Sequence, residues 1–385
     1  MVILFLVVFI DLMGFGLIIP LLPFYAEYFQ ASPDVVGMVM ATYSFAQFLA
    51  APMWGRLSDR VGRRPVLLVS LAGAVVAYIG LGLVDSLWML FAARALGGAM
   101  AGNIAAAFAY VADVTTPDNR ARGMGLIGAA FGLGFIAGPA IGGILAGPDP
   151  INADYQTPAF AAAGLSIAAL ALAAARLKES LAPEMRARAL VKRSRWLQFR
   201  NVLRRPKVGL LIALSFLATF VFAGMETTFA MWSRRQFGWG PEQNGYLFAS
   251  VGFLAAAIQG GLVGRLAGTF GEARLITHGA VSLAAGMVLL PFSDSLIVLA
   301  ASMILMVYGF SIINPSLNSL ISLQAGKDEQ GSVFGVSRSA TTLARVVGPI
   351  WAGFLFATLG KDWPYFGGAL VMAAVVILSL RISRR

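Results

Sequence analysis

Five charged residues stand within stretches that are otherwise apolar: Asp11, Arg94, Glu226, Arg338 and Arg345. A charge at such a position is costly unless it is paired or faces water, so each marks a place where the chain does something besides pack. Asp11 is the sole carboxylate of the first apolar stretch, and Arg94 sits some seven residues inside the fourth. At about 1.5 Å per residue, Asp11 lies roughly 14 Å from one membrane boundary and Arg94 roughly 10 Å from the other, a gap that an arginine side chain can bridge. An Asp11–Arg94 pair is therefore expected. Its chemistry would be proton binding by a carboxylate whose affinity rises when the guanidinium withdraws. Glu226, in the outer third of the seventh stretch, reads either as a carrier of a proton or a cationic substrate, or as a water-facing structural carboxylate. Arg338 and Arg345 are seven residues apart, share a helix face and must meet a cavity or a carboxylate rather than lipid. Tyr43, Gln47, Asn103, Gln259 and Asn314, with Arg345, could line a pocket, although aromatic residues in such stretches more often serve packing.

The chain has 385 residues, 58% hydrophobic and 12% charged, with a mean hydropathy of +0.79, which places it in a bilayer. With no cysteine and one histidine, His278, it offers no disulfide, no thiolate metal site and little for an imidazole one. No Gly-x-x-x-x-Gly-Lys-Ser/Thr loop is present for direct ATP drive, and no nucleophile–base set supports an enzyme. No cofactor is expected. The net charge of +11 would point to nucleic acid in a soluble protein; here it is a question of topology.

A span needs roughly 20 apolar residues. Twelve fit: Val2–Phe24, Val35–Trp54, Pro65–Val84, Leu87–Val111, Ala121–Ala146, Thr157–Ala175, Val208–Ser233, Gln243–Leu266, Ala273–Phe292, Leu296–Leu323, Gly331–Thr358 and Trp363–Leu380. The first is read as a retained helix. Arg56, Arg60, Arg63, Arg64, Arg120, Arg122, the Arg176–Lys207 run, Arg265, Arg274 and Lys327 fall in alternate connections, on one side. The other connections carry Glu27, Asp34, Asp85, Asp149, Asp154 and Asp294 against Arg234, Arg235 and Lys361, so both termini are expected in the cytoplasm.

The halves overlay at a nearly constant shift. Gly138-Pro139 falls on Gly348-Pro349 at 210 (348 − 138), and Asp85-Ser86-Leu87 on Asp294-Ser295-Leu296 at 209 (294 − 85). Six spans per copy imply a two-fold axis along the membrane normal. The expected fold is an all-α membrane protein of twelve transmembrane helices in two pseudo-symmetric six-helix bundles, residues 1–176 and 208–385. They are joined by a basic cytoplasmic linker, 177–207, which is either a solvated connection or an interfacial amphipathic helix carrying Trp196, Phe199 and Leu203.

Gly55-Arg-Leu-Ser-Asp-Arg-Val-Gly-Arg-Arg64 resembles the signature loop of the major facilitator superfamily. Gly55 and Gly62 would permit a tight reversal, with Asp59, Arg60, Arg63 and Arg64 as a charge cluster. Gly128–Gly143, with Gly134, Gly138, Pro139, Gly142 and Gly143, resembles that superfamily's antiporter motif; physically, glycines at this spacing let helices touch backbone to backbone. The run Asp11–Pro23 resembles the opening of tetracycline/proton antiporters, and Arg94 the family's fourth-helix arginine. The resemblance implies a cytoplasmic latch in which Arg63 lies beside Asp113, and the repeat's geometry, which starts the eleventh span on the same side with Arg338 two turns in, would let Asp59 meet Arg338 across the bundles. The resemblance also implies a secondary transporter in the inner membrane, monomeric, which exports small amphiphilic compounds or drugs in exchange for protons, its partners being substrate, protons and lipid. A metabolite exporter or uniporter without proton coupling, and more remotely a transport-dead receptor, are the alternatives. The second half departs from the pattern, with Gly268 and Thr269 near the place corresponding to Asp59 and no acidic residue in the ninth span, which weighs against tetracycline itself as substrate.

Overall fold

The computed structural model describes residues 1–181, 202, 204–326 and 329–383. Among them, twelve helices are long and apolar enough to cross a membrane: α1 Val2–Tyr28, α2 Pro33–Val61, α3 Arg63–Gly82, α4 Leu87–Val114, α5 Arg122–Ala146, α6 Gln156–Arg176, α7 Pro206–Phe237, α8 Pro241–Phe270, α9 Glu272–Phe292, α10 Leu296–Gln324, α11 Gln330–Leu359 and α12 Trp363–Ile382. Backbone polar groups in hydrocarbon must be satisfied within the segment, which is why each apolar run closes as a helix.

Prolines mark starts and breaks. Pro33, Pro206 and Pro241 stand at helix starts, where the missing N–H costs nothing, whereas Pro20 turns α1 into a short 3₁₀ stretch over Ile19–Leu21. A π-helical segment, Ile258–Leu262, interrupts α8 at Gly260 and Gly261 and carries Gln259.

Two expectations change. Helix α2 continues to Val61, so Gly55–Arg60 are helical rather than looped, and the reversal into α3 rests on Gly62 alone, at φ 119°. Gly55 has nothing within 4 Å of where a Cβ would stand, so its lack of a side chain serves no close approach. Helix α9 begins at Glu272 rather than Ala273, which puts a carboxylate in its first turn, where it complements the helix dipole and accepts a hydrogen bond from Ser319 at 3.1 Å. Most of the 177–207 join, with the amphipathic face expected there, lies outside the described residues.

By contacts the chain divides into two units. The first takes Met1–Ala31, the chain from Thr42 into the join, and Ser233–Gly252; the second takes Ser32–Ala41, the chain from the join to Trp232, and everything from Phe253. Each unit borrows a helix end from the other sequence half. In the first unit the core gathers Leu4, Val7, Val8 and Leu12 of α1 with Val66, Leu67 and Leu71 of α3, Ala107 and Val111 of α4 and Ala169 and Ala173 of α6.

Candidate functional site

In the first unit, Arg63 opens α3 and is nearly buried. Its Nη1 donates to Asp59 Oδ1 at 2.6 Å and Ser58 Oγ at 3.1 Å, and its Nε to Asp113 Oδ2 at 3.0 Å. Asp59 and Arg63 are one turn apart across Gly62, so the glycine reversal itself aims them at each other. Ser180 also donates to Asp113, at 3.0 Å. Arg64 reaches Ala174 O at 2.8 Å, and Arg60 stays exposed.

Glu179, which sequence reasoning left in the basic join, completes this cluster. The first N–H groups of a helix have no intrahelical partner. Those of α3 belong to Arg63 and Arg64, and both donate to the Glu179 carboxylate, at 2.9 and 3.2 Å, as do the N–H groups of Ser180 and Leu181. Burial works against the Glu179 charge, but these four donors outweigh it and hold the carboxyl below its usual range. An acid at the start of a basic run was the available signal.

Inside the spans, Asp11 and Arg94 are both buried. The expected Asp11–Arg94 ion pair is not among the ion pairs of the described residues; the guanidinium of Arg94 lies instead over the ring of Tyr43, its Cζ 4.6 Å from the centroid. Arg94 Nε finds no hydrogen-bond partner among the described residues. The physical reason is that Tyr43 backs directly onto α4: a Cβ at Gly98 would strike Tyr43 O, which brings the tyrosine ring alongside Arg94 one turn away. Phe15 of α1 joins the group, 5.0 Å from the Tyr43 ring and 6.1 Å from that of Phe135. Gln47, one turn past Tyr43 on α2, is half-buried. Asn103 begins the second part of α4, after a break at Ala101 and Gly102.

The antiporter-motif glycines face two ways. A Cβ at Gly134 would stand 3.0 Å from Leu12 Cβ, one at Gly138 2.7 Å from Met13 O, and one at Gly142 would strike Leu17 O, so α1 and α5 run backbone against backbone. Gly143 faces α8, with Pro241 O 2.8 Å and Gly245 Cα 3.0 Å from a Cβ there, and a Cβ at Gly245 would meet Pro139 O.

In the second unit, Arg345 Nη1 stands 3.6 Å from Glu226 Oε2. Phe222, one turn before Glu226, stacks on Phe310 of α10 with centroids 3.8 Å apart and planes at 6°. Asn314 follows Phe310 by one turn and donates to its carbonyl at 3.4 Å. Gln259 is exposed on the π-helical segment, and Arg338 is exposed two turns from Arg345.

Sequence reasoning also missed Glu27, whose side chain is 9% exposed and is held by Arg234 at 3.0 Å and Arg235 at 3.1 Å. Two adjacent arginines on the side whose connections are otherwise mostly acidic were the signal, since topology gave them no reason to be there.

Twelve spanning helices with ionisable groups set deep inside them define a membrane transporter rather than an enzyme fold. The family model of the Major Facilitator Superfamily matches residues 4–349 and 247–385, and the chain belongs to that family. It is 33% identical over 379 residues to the class C tetracycline resistance protein of Escherichia coli, covering 98% of this chain and 94% of that one. It is 30% identical over 373 residues to multidrug resistance protein 2 of Bacillus subtilis (strain 168), covering 95% and 90%. Among solved structures it is similar to the human organic anion transporter MFSD10 (TETRAN), with a TM-score of 0.74 and 26% identity over 98% of each chain.

Proposed function

We propose that this chain is a secondary active exporter, placed in the inner membrane with both termini cytoplasmic, which moves small amphiphilic compounds, drugs among them, outward in exchange for protons by alternating access. The observation that carries the reading is the Glu226–Arg345 pair at 3.6 Å inside two spanning helices. A charge pair set inside spanning helices is costly to build and is kept where a proton or a ligand must be exchanged. Its accessibility fits that role, since Arg345 is exposed while the residues around Glu226 are buried. The tetracycline and multidrug resistance proteins among its relatives support the drug class. Asp11 supplies a second membrane-embedded carboxylate for protons, and the Arg63–Asp59–Asp113 cluster would serve as the latch at the α2–α3 turn.

The test is transport by the purified chain in proteoliposomes carrying an imposed proton gradient, with ethidium and tetracycline as separate probes. Uphill movement of ethidium that collapses with a protonophore is the expected result. Movement that only equilibrates ethidium, unaffected by the gradient, would replace this reading with the uniporter one.

A further inference from the structure

Helix α7 is buried from Ala218 to Ser233 except at two residues, Phe222 and Glu226, one turn apart and thus on one face. On α10 the accessible residues Phe310, Asn314 and Asn318 likewise follow one another at four-residue steps. The Phe222–Phe310 stack joins these two strips, and the Glu226–Arg345 pair joins the first of them to α11. Arg338 shares the face of Arg345 seven residues earlier, so it points into the same polar strip rather than into lipid.

Levels along the helices follow from the pair. Spans seven and eleven run in the same direction, and Glu226 with Arg345 sets their register. At about 1.5 Å per residue, Arg338 lies roughly 10 Å from Arg345 toward the helix starts, and Phe222 roughly 6 Å from Glu226 in that direction. The ring stack thus falls between the levels of the two guanidiniums. Arg345 is already neutralised by Glu226; Arg338 has no ion pair among the described residues. An aromatic stack whose level falls between two guanidiniums, one of them without an ion pair among the described residues, suits a planar apolar body carrying an anionic group, because a guanidinium binds a carboxylate bidentately and an exposed aromatic face takes the ring.

We infer that the second unit holds a subsite for aromatic organic anions, with Phe222 and Phe310 taking the ring system, Arg338 the anionic group, and Asn314 a polar rim. This rests on the exporter reading only for the direction of movement. The Glu226–Arg345 pair stays free for its own role, and Arg338 is a specificity residue rather than a coupling one.

Binding of three matched probes to the detergent-purified full chain tests it by calorimetry: 2-naphthoate, 2-naphthylmethanol and 2-naphthylmethylammonium. Naphthoate is expected to bind tighter than the other two by about tenfold or more. Arg338→Gln should bring the three within a few-fold of one another while leaving naphthylmethanol binding in place, and Arg338→Lys should keep the preference for the anion. Retained binding of naphthylmethanol shows that the variant is folded, and a purely latching Arg338 would not move the anion preference at all. Tightest binding of the ammonium probe, equal binding of all three, no naphthoate binding up to its solubility limit, or an undiminished naphthoate preference in Arg338→Gln would each overturn the subsite. The two proposals fail separately. A chain that exports ethidium uphill yet prefers the ammonium probe loses the subsite and keeps the exporter; one that binds naphthoate through Arg338 yet moves ethidium only downhill keeps the subsite and loses the coupling.

Discussion

Glu179 gathers four backbone N–H groups, two of them the first donors of α3, and so it ties the segment after α6 to the α2–α3 turn. Hydrogen bonds to an ionised acceptor are the stronger kind, and Glu179→Gln should destabilise the purified chain by roughly 2 kcal/mol, read as a lowered melting temperature at neutral pH. The pH dependence has a definite sign. The folded value of Glu179 lies below its unfolded one, so its contribution is complete above the unfolded carboxyl value and fades as pH falls through the folded one. Between about pH 6 and pH 3, the melting temperature of the parent should therefore fall toward that of the glutamine variant. A gap between them that stays constant over that range would mean that the charge of Glu179 has no part in the cap. Arg94 carries a different lesson, since one of its contacts is an aromatic face: the π cloud of Tyr43 lies against a buried guanidinium.

At the scale of elements, the glycines do most of the joining. Gly143 lies against Pro241 and Gly245, while 210 residues later (353 − 143) Gly353 lies against Pro33 and Asp34, a Cβ there being 3.2 Å from Asp34 Cα; Gly37 in turn would strike Pro349 O. The contact of α5 with α8 is thus repeated as α11 with α2, and this is why each contact unit takes in a helix end from the other sequence half. Close backbone approach is a main source of attraction where lipid is as apolar as leucine, so a side chain inserted there is costly. Gly142→Leu, which would drive a side chain into Leu17 O, should separate α1 from α5 and lower the yield of folded protein severely in size-exclusion profiles. Gly128→Leu, with open space at its Cβ, should elute as the parent does. Equal profiles for the two would show that the α1–α5 contact tolerates a side chain.

For the whole molecule, membership of the major facilitator superfamily makes the chain a transporter, and the proposed exchange with protons is tested at Asp11. Asp11→Asn keeps size and hydrogen-bonding capacity but cannot release a proton at neutral pH. In proteoliposomes it should lose uphill ethidium export while binding ethidium within a few-fold of the parent. Uphill export at the parent's rate would remove Asp11 from coupling and leave Glu226 as the proton carrier. The sequence by itself determined the twelve spans and the family, and through that resemblance it led to the Asp59–Arg63–Asp113 cluster, because hydropathy and short motifs are local and a bilayer admits few alternatives. Tertiary structure decided the partners: Tyr43 for Arg94, Glu226 for Arg345, Arg234 and Arg235 for Glu27, and the start of α3 for Glu179. A long side chain sweeps a wide arc around its helix, and which neighbour it meets depends on how each helix is rotated and how closely glycines let the next one approach. Neither quantity is written in the spacing of residues along one chain.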